Sequence, residues 1–254
     1  MILDTFRLDG RVAVVTGSSR GLGQGAALAL AEAGADLVLI DRGDATRTAE
    51  LVRGLGRRVH TIGRDFVSAS RDDLAGAIDE AVEAMGRIDV LVNNAGTIRR
   101  APAADHSAQD WDDVLAVNLD AVFHLSQAAG RRMIDQGWGR IVNVASMLSF
   151  QGGILVPGYA ASKHAVAGLT KALANEWASS GVTVNAIAPG YMATDNTAPI
   201  RADADREASI LARIPAARWG TPADLQGAFV FLASDAAAYV TGAVIPVDGG
   251  WLVR

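Results

Sequence analysis

The sequence predicts an α/β fold, a single-domain doubly wound sheet of seven parallel strands with helices on both faces. Three observations carry this. Short apolar runs alternate with longer amphipathic stretches along the whole chain. The runs are rich in Val and Ile and nearly continuous in apolar character, the mark of strands buried on both faces of a parallel sheet. No linker, repeat or low-complexity tract breaks the rhythm, so residues 1–254 read as one domain.

The elements follow in order. "RVAVVTG" (11–17) is the first strand, and a glycine-rich turn leads from it into a helix over 21–34. "DLVLID" (36–41) is the second strand, followed by a helix near 44–55. "RRVHTI" (57–62) is the third, before a helix over 68–86, and "IDVLVNNAG" (88–96) is the fourth. A long helical stretch, 107–137, leads to the fifth strand, "GRIVNVAS" (139–146). A second long helix, 157–180, precedes the sixth, "VTVNAIAPG" (182–190). A last helix, 221–233, precedes the seventh, "GAVIPVDGG" (242–250). The stretch 191–218 departs from the alternation. It lies beyond a strand's C-terminal end, where open sheets bind ligands, and reads as a substrate lid.

Composition removes several chemistries. There are no cysteines, which excludes disulfides, thiolate nucleophiles and cysteine-ligated zinc. The net charge is −5 and no basic block appears, so neither nucleic acid nor an acidic membrane is the expected partner. No apolar run reaches membrane-spanning length, and the first residues lack a signal-peptide core, so the expected location is the cytoplasm. His60, His106, His124 and His164 show no metal-ligand spacing, and no metal is expected. "GSSRG" (17–21) formally matches a hydrolase nucleophile elbow, but no histidine stands in the last third of the chain to complete a triad.

Two constellations remain. In "TGSSRGLG" (16–23), Gly17, Gly21 and Gly23 let the backbone turn sharply and approach a ligand, and the helix N-terminus offers amides to a pyrophosphate. Asp41, at the end of the second strand, is placed to accept hydrogen bonds from ribose hydroxyls. Tyr159 and Lys163 stand four residues apart, on one face of a helix. An ammonium beside a phenol favours the phenolate, making a proton donor and acceptor usable near neutral pH.

"TGSSRGLG", "NNAG" (93–96), Asn118, Ser146, Tyr159 with Lys163, and "PG" (189–190) followed by Thr194 together resemble the short-chain dehydrogenase/reductase family, over nearly the whole chain. The resemblance implies a nicotinamide-dependent oxidoreductase on the Rossmann fold. In that reading Tyr159 exchanges the proton, Lys163 lowers its pKa and holds the nicotinamide ribose, Ser146 bonds the reacting oxygen, and Asn118 holds a water linking Lys163 to solvent. Gly17, Ser19, Arg20, Gly21, Leu22 and Gly23 form the pyrophosphate turn. Asp65 and Phe66 lie by the adenine, Asn93, Ala95 and Gly96 line the cofactor, and Pro189, Gly190, Met192 and Thr194 face the nicotinamide. Asp41 points to NAD over NADP, although Arg20 and Arg42 could pair with a 2′-phosphate.

Further stretches, "ASMLSFQGG" (145–153), "NEWA" (175–178), "GYMATDNT" (190–197), "RWGTP" (218–222) and "DGGWLVR" (248–254), resemble members of the family acting on deoxy sugar acids. The implied substrate carboxylate calls for an arginine: Arg99 or Arg100 after "NNAG", or Arg201, Arg206 or Arg213 in the lid. Gln151 is the candidate for the sugar hydroxyls. Oxidation of gluconate, reduction of a uronate or of a 3-oxoacyl carrier protein, and a cofactor-sensing regulator are the competing readings. The resemblance also implies a homotetramer built on the two long helices.

Overall fold

The computed structural model describes residues 1–254. Seven strands form one parallel sheet: β1 (Val12–Thr16), β2 (Asp36–Asp41), β3 (Val59–Gly63), β4 (Val90–Asn93), β5 (Gly139–Val144), β6 (Val182–Pro189) and β7 (Val244–Val247), in the spatial order β3-β2-β1-β4-β5-β6-β7. The order reverses between β1 and β4, so a crevice opens beyond their C-terminal ends. Seven strands were expected and seven form. The outer two differ in burial: β3 and β7 are largely half-exposed, because an edge strand has a neighbour on one side only.

Side chains alternate across the sheet. Ala13 and Val15 of β1 face one core with α1 (Gly21–Glu32), α2 (Thr46–Gly54) and, at its far side, Phe229. Val12 and Val14 face the other, with α3 (Arg71–Met85) and Leu125, Met133 and Leu173. Local signals set the helix ends. Ser70 and Asp73 form a capping box at the start of α3, and Gly86, at φ +85°, ends it in the left-handed conformation. Ser107 caps α4 (Ala108–Leu115).

The long helix expected over 107–137 is not continuous. A π turn, Ala116–Asp120, separates α4 from α5 (Ala121–Gln136), and Asn118 sits in it. Apolar periodicity does not register one extra residue in a turn, so the sequence reads straight through. α6 (Pro157–Trp177) begins on a proline at its first position, where a missing N–H costs nothing. The stretch after β6 forms two short helices, α7 (Ala198–Arg201) and α8 (Ala204–Arg213), before α9 (Pro222–Ala233) returns to the sheet. α8 buries Ile210 against Met147, Ile214 and Trp251 and leaves its charged face outside. No helix is long and apolar enough to cross a membrane.

The N-terminal end of the sheet is tied by charge. Asp89 is fully buried and accepts from Val12 N (2.9 Å), Arg11 (3.2 Å) and Arg87 (2.6 and 2.7 Å). The opposite end carries the polar groups described next.

Candidate active site

The glycine turn is shaped by close approach. Gly17 (φ +64°) and Gly21 (φ +60°) adopt the left-handed conformation. A Cβ on Gly23 would stand 2.1 Å from the Gly17 carbonyl oxygen, so α1 meets the turn only without a side chain there. Arg20 is the N-cap residue, with no side-chain cap, and the amides of Gly21, Leu22 and Gly23 lack intrahelical partners. This cradle fits the pyrophosphate of a dinucleotide. Ser19 N donates to one oxygen of Asp41 (2.8 Å) and Gly43 N to the other (2.9 Å), so the Asp41 carboxylate is fixed with lone pairs to spare. Asp65 is likewise turned to a local amide, Val67 N (3.0 Å), and Phe66 is buried in the core.

"NNAG" knits β4 to that turn. Asn94 Nδ2 donates to the carbonyls of Thr16 (2.9 Å) and Gly17 (3.0 Å), while Asn94 N and Ala95 N donate to Thr16 Oγ1 (both 3.0 Å). Asn93 points the other way, donating to Ser126 (2.9 Å) and Asn143 (2.9 Å) inside the core. Asn93 thereby braces β4 against β5. The structure gives Asn94 the contacts to the glycine turn, and nothing in an asparagine doublet distinguishes the two. Pro189 is buried at the end of β6, and Gly190 lies where a Cβ would meet the Asp248 Cα at 2.6 Å. Met192 is buried with its sulfur against Gly220, and its carbonyl accepts from Thr194 N (3.0 Å) and Thr197 Oγ1 (2.6 Å).

Asn118, Ser146, Tyr159 and Lys163 come together from the π turn, the end of β5 and the first turns of α6. Lys163 is buried, its Nζ donating to the Val144 carbonyl (2.6 Å) and lying 5.5 Å from the centre of the Tyr159 ring. Burial lowers its pKa to about 8. Asn118 Oδ1 accepts from Thr97 N (2.8 Å), and its Nδ2 donates to Thr97 O (3.0 Å) and Ser162 Oγ (3.2 Å). Its side chain is therefore engaged, and a water beside Lys163 would have to use the main chain that the π turn displaces. Ser146 Oγ accepts from Leu148 N (3.1 Å).

The arginines divide. Arg99 is committed to Asp110 (3.2 Å) and Asp113 (3.0 Å) on α4. Arg100 lies close enough to the Tyr159 hydroxyl to favour its ionised form, and one of its nitrogens donates to the Asn196 carbonyl (3.3 Å). Arg201 donates to Thr194 O (3.2 Å). Arg213 stacks on Trp251 at 3.9 Å and donates weakly to Gln151 (3.4 Å). Arg206 and Arg213 both act on Tyr191, whose ring packs edge-on against Trp219 and Trp251.

The family model described as enoyl-(acyl carrier protein) reductase matches residues 17–252. Escherichia coli (strain K12) 2-dehydro-3-deoxy-D-gluconate 5-dehydrogenase is 56% identical over the full length of both chains. This chain belongs to the short-chain dehydrogenase/reductase family. Two solved structures share the fold. One, described as a 2-deoxy-D-gluconate 3-dehydrogenase from Agrobacterium tumefaciens with bound NADP, is 51% identical with a TM-score of 0.92, over 98% of this chain and 99% of that one. A gluconate 5-dehydrogenase from Burkholderia cenocepacia J2315, in complex with NADP and tartrate, is 41% identical with a TM-score of 0.95 over all of both chains.

One expectation for this short-chain dehydrogenase/reductase is corrected. The lysine was expected to pull the tyrosine pKa down. Instead burial pushes the Tyr159 hydroxyl up, and the groups opposing that are Ser146 and Arg100. Lys163 Nζ lies 5.5 Å from the centre of the ring, donates a hydrogen bond to the Val144 carbonyl, and is not among the groups that shift the phenol. The protein alone thus keeps Tyr159 protonated, suited to donating a proton to a ketone. No group of three or more His, Asp or Glu side chains is placed to hold a metal.

Proposed function

We propose that this chain is an NAD(P)-dependent dehydrogenase of the 2-dehydro-3-deoxy-D-gluconate 5-dehydrogenase type, interconverting a secondary hydroxyl and a ketone on a deoxy sugar acid. The 56% identity to the Escherichia coli enzyme, end to end, is the observation that carries it. Bound nicotinamide supplies the hydride acceptor or donor. Ser146 donates a hydrogen bond to the reacting oxygen. Tyr159 moves the proton between its own oxygen and that one. Lys163 supplies buried positive charge beside the phenol and a donor for a ribose hydroxyl. Residues 191–218 act as a lid within a single-domain chain, and Gln151 meets sugar hydroxyls.

Arg100 is the residue proposed to hold the substrate carboxylate. It shares the crevice with Tyr159, whereas Arg99 is spent on two aspartates. Replacing Arg100 with Ala should lower kcat/KM for a 3-deoxy-2-keto hexonate by about 10–100-fold, the cost of losing a charge-assisted hydrogen bond. The neutral amide of the same compound should lose little. Equal losses for acid and amide would remove the carboxylate from Arg100, and a better rate on a 3-oxoacyl thioester would sink the sugar-acid reading itself.

NAD is proposed as the preferred cofactor. Two backbone amides pin the Asp41 carboxylate, so it cannot swing away from a 2′-phosphate. Arg42 is exposed beside it and can pair with that phosphate, so NADP use is retained, in keeping with the NADP in both solved relatives. The ratio of kcat/KM values for NAD and NADP should exceed one, and Asp41→Ala should shift it toward NADP by about tenfold or more. A wild-type ratio below one overturns the preference. We further propose a cytoplasmic homotetramer. Trp111 on α4 and Tyr239 near the C-terminus leave aromatic surface exposed, which light scattering on the purified chain would show to be covered or not.

A further inference from the structure

The segment after β6 is held from outside its own fold at two consecutive residues. Arg20 Nη1, from the glycine turn, donates to Asp195 Oδ2 at 2.9 Å. Arg100 Nη2, from the loop after β4, donates to the Asn196 carbonyl at 3.3 Å. Beside them the strap touches the turn. A Cβ on Gly21 would stand 3.9 Å from the Thr194 methyl group. Residues 194–196 therefore lie across the mouth of the crevice, over the start of α1.

Arg20 is the N-cap residue of α1, yet its side chain makes no cap. It leaves the turn and reaches the strap. The pair is exposed on both sides, 74% for Arg20 and 73% for Asp195. Such a pair adds almost nothing to the stability of a fold. It can, however, open and close without cost to the core, which is what a gate must do on every turnover.

We propose that Arg20–Asp195 is a latch, with Asp195 a positioning residue that holds the strap shut over the bound dinucleotide and sets its release rate. The proposal rests on dinucleotide binding at the glycine turn. Arg20 keeps nitrogens beyond the one given to Asp195, so pairing with the strap does not withdraw it from a neighbouring phosphate. Asp195 touches neither substrate nor cofactor in this scheme; it acts only through Arg20. Its effect is electrostatic and exposed, and salt should weaken it.

The test is the release of NADH followed by stopped-flow fluorescence, in wild type, Arg20→Gln, Asp195→Asn, the double variant and Asp195→Glu. Asp195→Asn should speed release by about two- to fivefold, the range an exposed ion pair supports. Once Arg20 is already Gln, the same change should have no further effect. Asp195→Glu should restore slow release. Added salt should speed release in wild type and leave the double variant unchanged. All five proteins should keep one melting temperature, because neither side chain is buried. Independent effects of the two changes, or no change in Asp195→Asn, would overturn the latch while leaving the cofactor site standing. A chain that binds neither NADH nor NADPH would overturn the latch and the cofactor site together.

Discussion

Tyr159→Phe lowers kcat/KM by about 10²–10⁴-fold, the usual contribution of a positioned general acid–base, while dinucleotide affinity stays near that of wild type. The variant removes one oxygen and nothing else. The ring keeps its place in α6, and Lys163 keeps its bond to Val144. No other phenol is close: Tyr191 packs against Trp219 and Trp251, and Tyr239 is fully exposed. Steady-state rates in both directions and fluorescence titration with NADH make the check. Turnover within a few-fold of wild type would move the proton transfer to another group.

Lys163→Met lowers activity by about 10²-fold or more and at the same time stabilises the protein. The first part follows from removing the one buried cation beside the phenol. The second follows from burial. The ammonium pKa is lowered from 10.5 to about 8 by desolvation alone, a penalty of about 3 kcal/mol. Methionine of similar length escapes that penalty but leaves the Val144 carbonyl without its partner, so the net gain is about 1–2 kcal/mol. The pH dependence has a definite sign. Below pH 8 the ammonium is charged in both the folded and the unfolded chain, and the penalty is complete. Between pH 8 and 10.5 the unfolded chain holds a proton that the folded one has released, so the penalty fades as pH rises. Urea midpoints should therefore favour Lys163→Met at pH 7 and converge with wild type near pH 10. A lower midpoint at pH 7 would show that the lysine helps hold the fold.

All seven strands and the glycine turn were legible in the sequence, because burial on both faces writes a continuous apolar run and close backbone approach writes glycine. The tyrosine–lysine pair was legible from its spacing, together with the family resemblance. What escaped were properties of three-dimensional neighbours. Which asparagine of Asn93–Asn94 binds the turn depends on a single strand-end rotation. Arg99 and Arg100 look alike until α4 sets two aspartates beside the first. The sign of the Tyr159 shift depends on how deep the hydroxyl lies, and four-residue spacing carries no information on depth. Nothing local to Asp195 signals its pairing, because its arginine is 175 positions away.

The π turn at Ala116–Asp120 gives related sequences a diagnostic length. Such a turn is an α-helix with one residue inserted, and that insertion brings Asn118 against Thr97 and Ser162. Removing one residue between Val114 and Ala121 would leave an unbroken helix, with Leu125 and Met133 still able to cover the sheet. Asn118 would be gone from its place. A homologue with a gap of one position there is therefore expected to keep the architecture without the Asn118 contacts to Thr97 and Ser162, even where its tyrosine and lysine are intact.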